Sequence, residues 1–254
     1  MTIAAATLIA ARLQATPACY ARAFQTPLLE RFESMPWPQK SYAAFIFDMD
    51  GTIINSIASA NRVWTRWSQS HGLDPEAVLK VMHGVRAVET IRRLNVPGMN
   101  VEYEAAALTQ AEIDDTDGIQ PINGALALLR DLPPQQWAVA TSAPRELAIR
   151  RLAAAGIPQP KVLVTADDVS QGKPAPDCFL MAARQLEVAA PECLIWEDST
   201  AGVQAAEAAG SDVMVITATH EKTFETRHPA VMDYERLGVA VDDAGRLSLT
   251  QRLL

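Results

Sequence analysis

The chain has 254 residues, 49% of them hydrophobic and 20% charged, which suffices for one full α/β core and a small second domain. Its net charge of −8 comes without any block of lysine and arginine, which argues against a nucleic-acid partner, and no apolar run approaches the roughly 20 residues of a membrane span. Three cysteines (Cys19, Cys178 and Cys193) cannot all pair and lack metal-site spacing; they fit a reducing, cytoplasmic setting.

In chain order, residues 1–42 read as an N-terminal extension. Up to Leu29 it holds Arg12 and Arg22 but no acid. No charge precedes its apolar stretch and no cleavage site is clear, so a targeting peptide fits poorly. The expectation is a dispensable extension, with a helix over 4–14 or a natural start at Met35. The next stretch, Ala43-Ala44-Phe45-Ile46-Phe47, is continuously apolar and reads as a buried strand of a parallel sheet. It runs into Asp48-Met49-Asp50-Gly51-Thr52. Two acids two residues apart project the same way if the extended backbone continues. Unpaired in an apolar sheet they would cost several kcal/mol or more, so they belong at the open edge beyond the strand C-termini, where α/β sheets bind ligands.

The next strand-like run, residues 137–141, comes only about ninety residues later, whereas a parallel crossover needs about a dozen. The intervening pattern is helical. Val63, Trp64 and Trp67 recur at helical spacing over 57–70, and His71-Gly72 is a stop signal. Asp74-Pro75-Glu76 opens a second helix, and helical patterns continue over 85–94 and 101–113. Residues 56–121 therefore read as an all-helical cap, with 43–55 and 122–254 as the α/β core. The trailing acids Glu112, Asp114, Asp115 and Asp117 read as a solvated face, and His71, His220 and His228 as structural or exposed. From Ile122 the pattern alternates: helix 122–132, strand 137–141, helix 145–155, strand 161–164, helix 175–187, strand 193–197, helix 200–209 and strand 212–217. Such alternation predicts a doubly wound parallel sheet, and 239–241 with 247–249 predict a terminal hairpin.

Three further polar clusters fall at strand ends or in the loops beyond them. Thr141-Ser142 precedes a helix whose N-terminus can bind an anion. Lys173 is pinned between Gly172 and Pro174. Glu197-Asp198-Ser199 closes the strand over 193–197 with two adjacent acids.

The series Asp-x-Asp-Gly-Thr, Thr-Ser, Gly-Lys-Pro and Glu-Asp-Ser, in this order and spacing over about 43–217, resembles the four signatures of the haloacid dehalogenase superfamily of phosphotransferases. The resemblance implies a Rossmann-like core in which Asp48 is the nucleophile and Asp50 the acid and base. It also implies Mg²⁺ held by Asp48, the Asp50 carbonyl and Asp198, with Glu197 contributing directly or through water. Lys173, Thr141 and Ser142 would hold the phosphoryl oxygens. Dehalogenation is disfavoured because relatives with that activity lack the second aspartate. In the cap, His83, Gly84 and Arg86 occupy a loop that reaches substrate in the family.

Through His71-Gly72-Leu73, Met82-His83-Gly84, Trp137-Ala138-Val139-Ala140-Thr141-Ser142, Thr165-Ala166-Asp167-Asp168-Val169 and Gly172-Lys173-Pro174, the chain more finely resembles small-cap sugar phosphatases of the 2-deoxyglucose-6-phosphatase type and glycerol-3-phosphatases. This resemblance implies a small phosphorylated metabolite as substrate and a monomer or weak homodimer. Asn55, and Ala143-Pro144 after the Thr-Ser pair, depart from the common pattern. The alternative is a β-phosphoglucomutase-like isomerase, but Ala60 replaces the cap-hinge histidine of that class and Thr52 its frequent valine.

Overall fold

A computed structural model describes residues 38–252; the expected helix over 4–14 and Cys19 lie outside the described residues. The strands are β1 Ser41–Tyr42, β2 Ala44–Phe47, β3 Ile54–Asn55, β4 Gln120–Pro121, β5 Trp137–Ala140, β6 Val162–Val164, β7 Cys193–Glu197, β8 Asp212–Ile216, β9 Ala230–Val231, β10 Leu237–Val241 and β11 Leu247–Gln251. Six of them form one parallel sheet in the order β6-β5-β2-β7-β8-β9. From β2 the chain winds outward through β5 to β6, then returns to place β7 on the other side of β2. A crevice opens beyond the strand C-termini at such a reversal.

Strands β2, β5, β6 and β7 are buried along their whole length, which explains their unbroken apolar runs: both faces are covered. Ala44, Ile46, Ala138 and Ala140 pack with Phe179 and Ala182 of α7 Asp177–Gln185 and with Ala205 and Ala206 of α8 Thr200–Ala208. Opposite lies an aromatic layer, in which Phe47 stacks on Trp196 at 5.6 Å and Trp196 meets Tyr234 at 5.3 Å. The Tyr234 hydroxyl donates to the Thr52 carbonyl at 3.1 Å, bracing the turn after β2. The remaining core helices are α5 Ala125–Asp131 and α6 Arg145–Ala154.

Between β3 and β4 come four helices: α1 Ile57–Ser70, α2 Pro75–Met82, α3 Ala87–Leu94 and α4 Val101–Asp114. They bury an apolar cluster of their own, around Val63, Trp64, Trp67, Val78, Met82, Ile91 and Leu108, and so form the inserted helical cap. Asp74 caps α2 by accepting from the Glu76 N–H at 3.1 Å. The two linkers to the core pair antiparallel as β3 and β4, with Ile54 opposite Pro121 and Asn55 opposite Gln120.

One expected boundary needs correction. The 42/43 boundary assigns a strand of the core to the extension, because Ser41 and Tyr42 pair with β11 beside the expected hairpin β10–β11. A two-residue strand is too short to show periodicity. Between β8 and that hairpin the chain also adds β9, which the sequence pattern does not show, to the main sheet, parallel to β8. Among the described residues no helix is long and apolar enough to cross a membrane.

Candidate active site

The residues at the strand ends converge. Asp48 follows β2 directly, held by its N–H to the Trp196 carbonyl at 2.9 Å. Its Oδ1 accepts from Lys173 Nζ at 2.5 Å and its Oδ2 from the Thr52 hydroxyl at 3.2 Å. Lys173, 1% exposed, also donates to Glu197 Oε1 at 2.7 Å. Burial alone would lower the lysine's pKa, but the two carboxylates outweigh it and hold the ammonium above its ordinary range. Asp48 moves the other way. Burial pushes its carboxyl up to about 7; Lys173 opposes the rise, and Glu197 and Asp50 add to it. Asp198 is raised for the same reasons, burial first and then Glu197 and Asp48. Three carboxylates share one ammonium here, so the site is short of positive charge.

An oxygen-binding cation suits that shortage. Asp48, Glu197 and Asp198 each offer a ligand oxygen within 4.8 Å of the others, and oxygens on opposite sides of an octahedral Mg²⁺ lie about 4 Å apart. Backbone space supports the same arrangement. Gly51 has φ +85°, and a Cβ there would lie 1.9 Å from Asp198 Oδ2, so only glycine lets that carboxylate press against the turn after β2. The Glu197 carboxylate is already crowded with donors: besides Lys173, the N–H groups of Asp198 and Ser199 reach Oε2 at 2.8 Å, and the Ser199 hydroxyl at 3.0 Å. It orients Lys173 and the Asp198 loop.

Asp50 is held differently. Its Oδ1 accepts from the Ser56 hydroxyl at 2.5 Å and from Arg151 Nη1 at 3.0 Å. Both acids line a cleft, partly open to solvent, between the cap and the sheet edge. Thr141 and Ser142 line it too. The Thr141 Oγ1 accepts from the Ala143 N–H at 3.1 Å, which leaves its proton to donate. The Ser142 hydroxyl, expected on phosphate, donates to the Gly84 carbonyl of the cap at 3.0 Å. Gly84 (φ +74°) sits so close to the core that a Cβ would lie 2.4 Å from Ser199 Oγ.

His83 and Gly84 line the cleft. Partial burial holds the His83 imidazole below its ordinary pKa, with Asp50 opposing and Arg151 and His220 adding to the fall. Arg86 does not reach the cleft. It pairs with Glu89 (Nε to Oε1, 2.8 Å) and crosses to the core, where Nη1 and Nη2 approach the Val169 and Ser170 carbonyls at 3.4 and 3.2 Å. Arg86 therefore clasps the cap to the loop that carries Lys173, in place of the expected substrate contact.

Glu112 is also corrected. It is buried, bonded to Arg151 and to the Trp64 Nε1–H, whereas Asp114 and Asp117 are exposed. The signal was present in the sequence, since Ala105, Leu108 and Glu112 share one face of α4. Arg151 carries no strand-end signal in the sequence; its only mark is its place in the buried stripe of α6, with Leu147, Ala148 and Leu152. His71 and His228 do pair at the surface, with Glu104 and Glu207. His220 instead stands 4.0 Å from Asp198 at the rim of the site.

Residues 45–216 match the family described as haloacid dehalogenase-like hydrolase. Hexitol phosphatase A of Escherichia coli (strain K12) is 39% identical over 178 residues, covering 68% of this chain and 82% of that protein. Glycerol-1-phosphate phosphohydrolase 2 of Saccharomyces cerevisiae is 34% identical over 194 residues, covering 71% and 77%. Among solved structures, a hydrolase from Pseudomonas syringae aligns with a TM-score of 0.64 at 27% identity, covering 70% of this chain and 85% of that one.

Proposed function

Because the chain belongs to the haloacid dehalogenase-like hydrolase family, we propose that it hydrolyses small sugar or polyol phosphate monoesters through a phosphoryl group carried on Asp48. The observation that carries this reading is the division of environments between the two acids after β2. Asp48 is clamped by Lys173, while Asp50 is clamped by Ser56 and Arg151, and both face one cleft. The named activities of the hexitol and glycerol-1-phosphate relatives support the substrate class.

In the first half-reaction an Asp48 oxygen attacks phosphorus and the ester oxygen leaves with the proton that Asp50 donates. In the second, Asp50 takes a proton from water, the new hydroxide attacks phosphorus, and Asp48 is released with inorganic phosphate. Lys173 and the Thr141 hydroxyl hold charge on the transferring group, and the contribution of Ser142 falls to its backbone N–H. Asp48, Asp198 and the Asp50 carbonyl would hold Mg²⁺, with Glu197 acting through water; when bound, the ion neutralises phosphate charge so that a carboxylate can approach. Ala60 places only a methyl group at the cleft wall, where the mutase resemblance would require a histidine, which favours hydrolysis over isomerisation. The cap forms one wall of the cleft with Trp64, Met82, His83 and Thr109, so selectivity belongs there. The buried thiols of Cys178 and Cys193 suit the cytoplasm.

A panel of sugar and polyol phosphates, assayed for phosphate release with and without Mg²⁺, tests the proposal. Mg²⁺-dependent release from polyol or hexose esters is expected. Conversion to an isomer without release would transfer the assignment to a mutase, and inactivity on the whole panel would refute both.

A further inference from the structure

Arg151 lies on the buried face of α6 with 5% of its side chain exposed, and its two terminal nitrogens go to different parts of the protein. Nη1 donates to Asp50 Oδ1 in the core at 3.0 Å, and Nη2 to Glu112 Oε1 on cap helix α4 at 2.9 Å. Glu112 is fixed in turn by the Trp64 Nε1–H of α1 at 3.3 Å, on the same oxygen. At Asp50, Ser56 and Arg151 converge on Oδ1. Two donors on one oxygen set the plane of the carboxyl group and leave Oδ2 for the reacting ester oxygen.

A guanidinium is a planar fork, so it cannot follow one carboxylate without leaving the other. We propose that Arg151 is a positioning residue that ties the aim of Asp50 to the seating of the cap, through its shared grip on Glu112. Withdrawal of Glu112 leaves one arm of a buried cation without its partner, and the fork must then turn to find a new one. Asp50, bonded to the other arm, turns with it. The acid is thus aimed while the cap covers the cleft, when leaving-group protonation is needed, and loses its aim when the cap lifts. The inference rests on the reading of Asp50 as the acid.

The test compares kcat/KM for phenyl phosphate and p-nitrophenyl phosphate, two esters of similar shape. The first has a poor leaving group that needs the proton, and the second a good one that scarcely does. Because kcat/KM stops at phosphorylation of Asp48, the later hydrolysis does not enter. General-acid catalysis is worth about 10²–10⁴-fold, so Arg151→Met is expected to lower the phenyl-to-nitrophenyl ratio about tenfold. Glu112→Gln, which keeps shape and hydrogen bonding, should lower the ratio about threefold. The double variant should be no worse than Arg151→Met alone, because the two act as one unit. Arg151→Lys should fail to restore the ratio. If both esters lose rate equally in Arg151→Met and Glu112→Gln, the ion pair is only structural and the inference is overturned. If Asp50→Asn itself leaves the ratio unchanged, Asp50 is not the acid, and the earlier reading fails before this one.

Discussion

Gly202, in the first turn of α8, offers the most quantitative check on how the site is built. A Cβ there would lie 1.6 Å from Glu197 Oε1, 1.9 Å from its Cδ and 2.5 Å from Oε2, so Gly202→Ala must displace either the carboxylate or the helix. Helix propensity alone favours alanine by about 1 kcal/mol. Against that, Glu197 accepts from Lys173, Asp198 N–H, Ser199 N–H and Ser199 Oγ at 2.7–3.0 Å. Each bond to a charged acceptor contributes about 1.5–3 kcal/mol, so losing all four sets a ceiling of roughly 6–12 kcal/mol. Relaxation recovers part of this, and stranding one partner of a buried ion pair costs about 3–5 kcal/mol. The clash therefore wins, with a net loss of about 2–4 kcal/mol. For a domain of this size that lowers Tm by roughly 4–16 °C. Gly156→Ala is the control: φ is +67° but nothing lies within 4 Å, so only backbone strain of about 1 kcal/mol applies. Thermal melts of both variants, with phosphate-release rates on the polyol ester, decide the matter. A Gly202→Ala protein that melts within about 2 °C of wild type and keeps its kcat would show that Glu197 is not pinned as described.

Asp48→Asn should abolish turnover while the protein stays folded; residual activity above about a thousandth of wild type would exclude it as nucleophile. Burial pushes the Asp48 carboxyl up to about 7. An acid raised in this way binds its proton more tightly when folded, so its contribution to stability is complete below the ordinary aspartate range and is lost as pH rises through about 7. If Asp48 is a Mg²⁺ ligand, as proposed, the ion and the proton compete for the same oxygens, so the rise in Tm on adding Mg²⁺ should be larger at about pH 7.5 than at about pH 5; an increment equal at both would argue against Asp48 as a ligand. Arg86→Ala releases the clasp on the Val169 and Ser170 carbonyls. It should raise KM for polyol and generic esters by the same factor, and a selective loss on the polyol ester would return Arg86 to the substrate.

Much of this architecture is legible in the sequence because a parallel strand covered on both faces reads as an unbroken apolar run, and its polar terminus shows where the run emerges. Asp48, Thr141 and Glu197-Asp198 are found in this way, and Lys173 by its glycine–proline frame. The contacts that cross between cap and core are not legible. Glu112 sits in a run of acids that resembles a solvated surface, and its partner Arg151 is 39 residues away on another helix. Helical spacing could have placed each on a buried face, but nothing in either helix says that the two faces meet. Arg86 misleads for a related reason: its loop does reach the cleft through His83 and Gly84, while its own side chain turns the other way to Glu89 and the Lys173 loop. Strand β1, at two residues, is too short to carry any pattern.

The ribbon of β3 and β4 brings the first and last residues of the insertion to neighbouring positions, one interstrand spacing or about 4.8 Å apart. Seen from the sheet, the four-helix segment is a cassette whose chain enters and leaves through one narrow stalk. No strand of the main sheet lies between Asn55 and Gln120, so the segment contributes nothing to the sheet's strand order. The stalk thereby joins the sheet that carries Asp48 and Asp50 to the helices that wall the cleft above them.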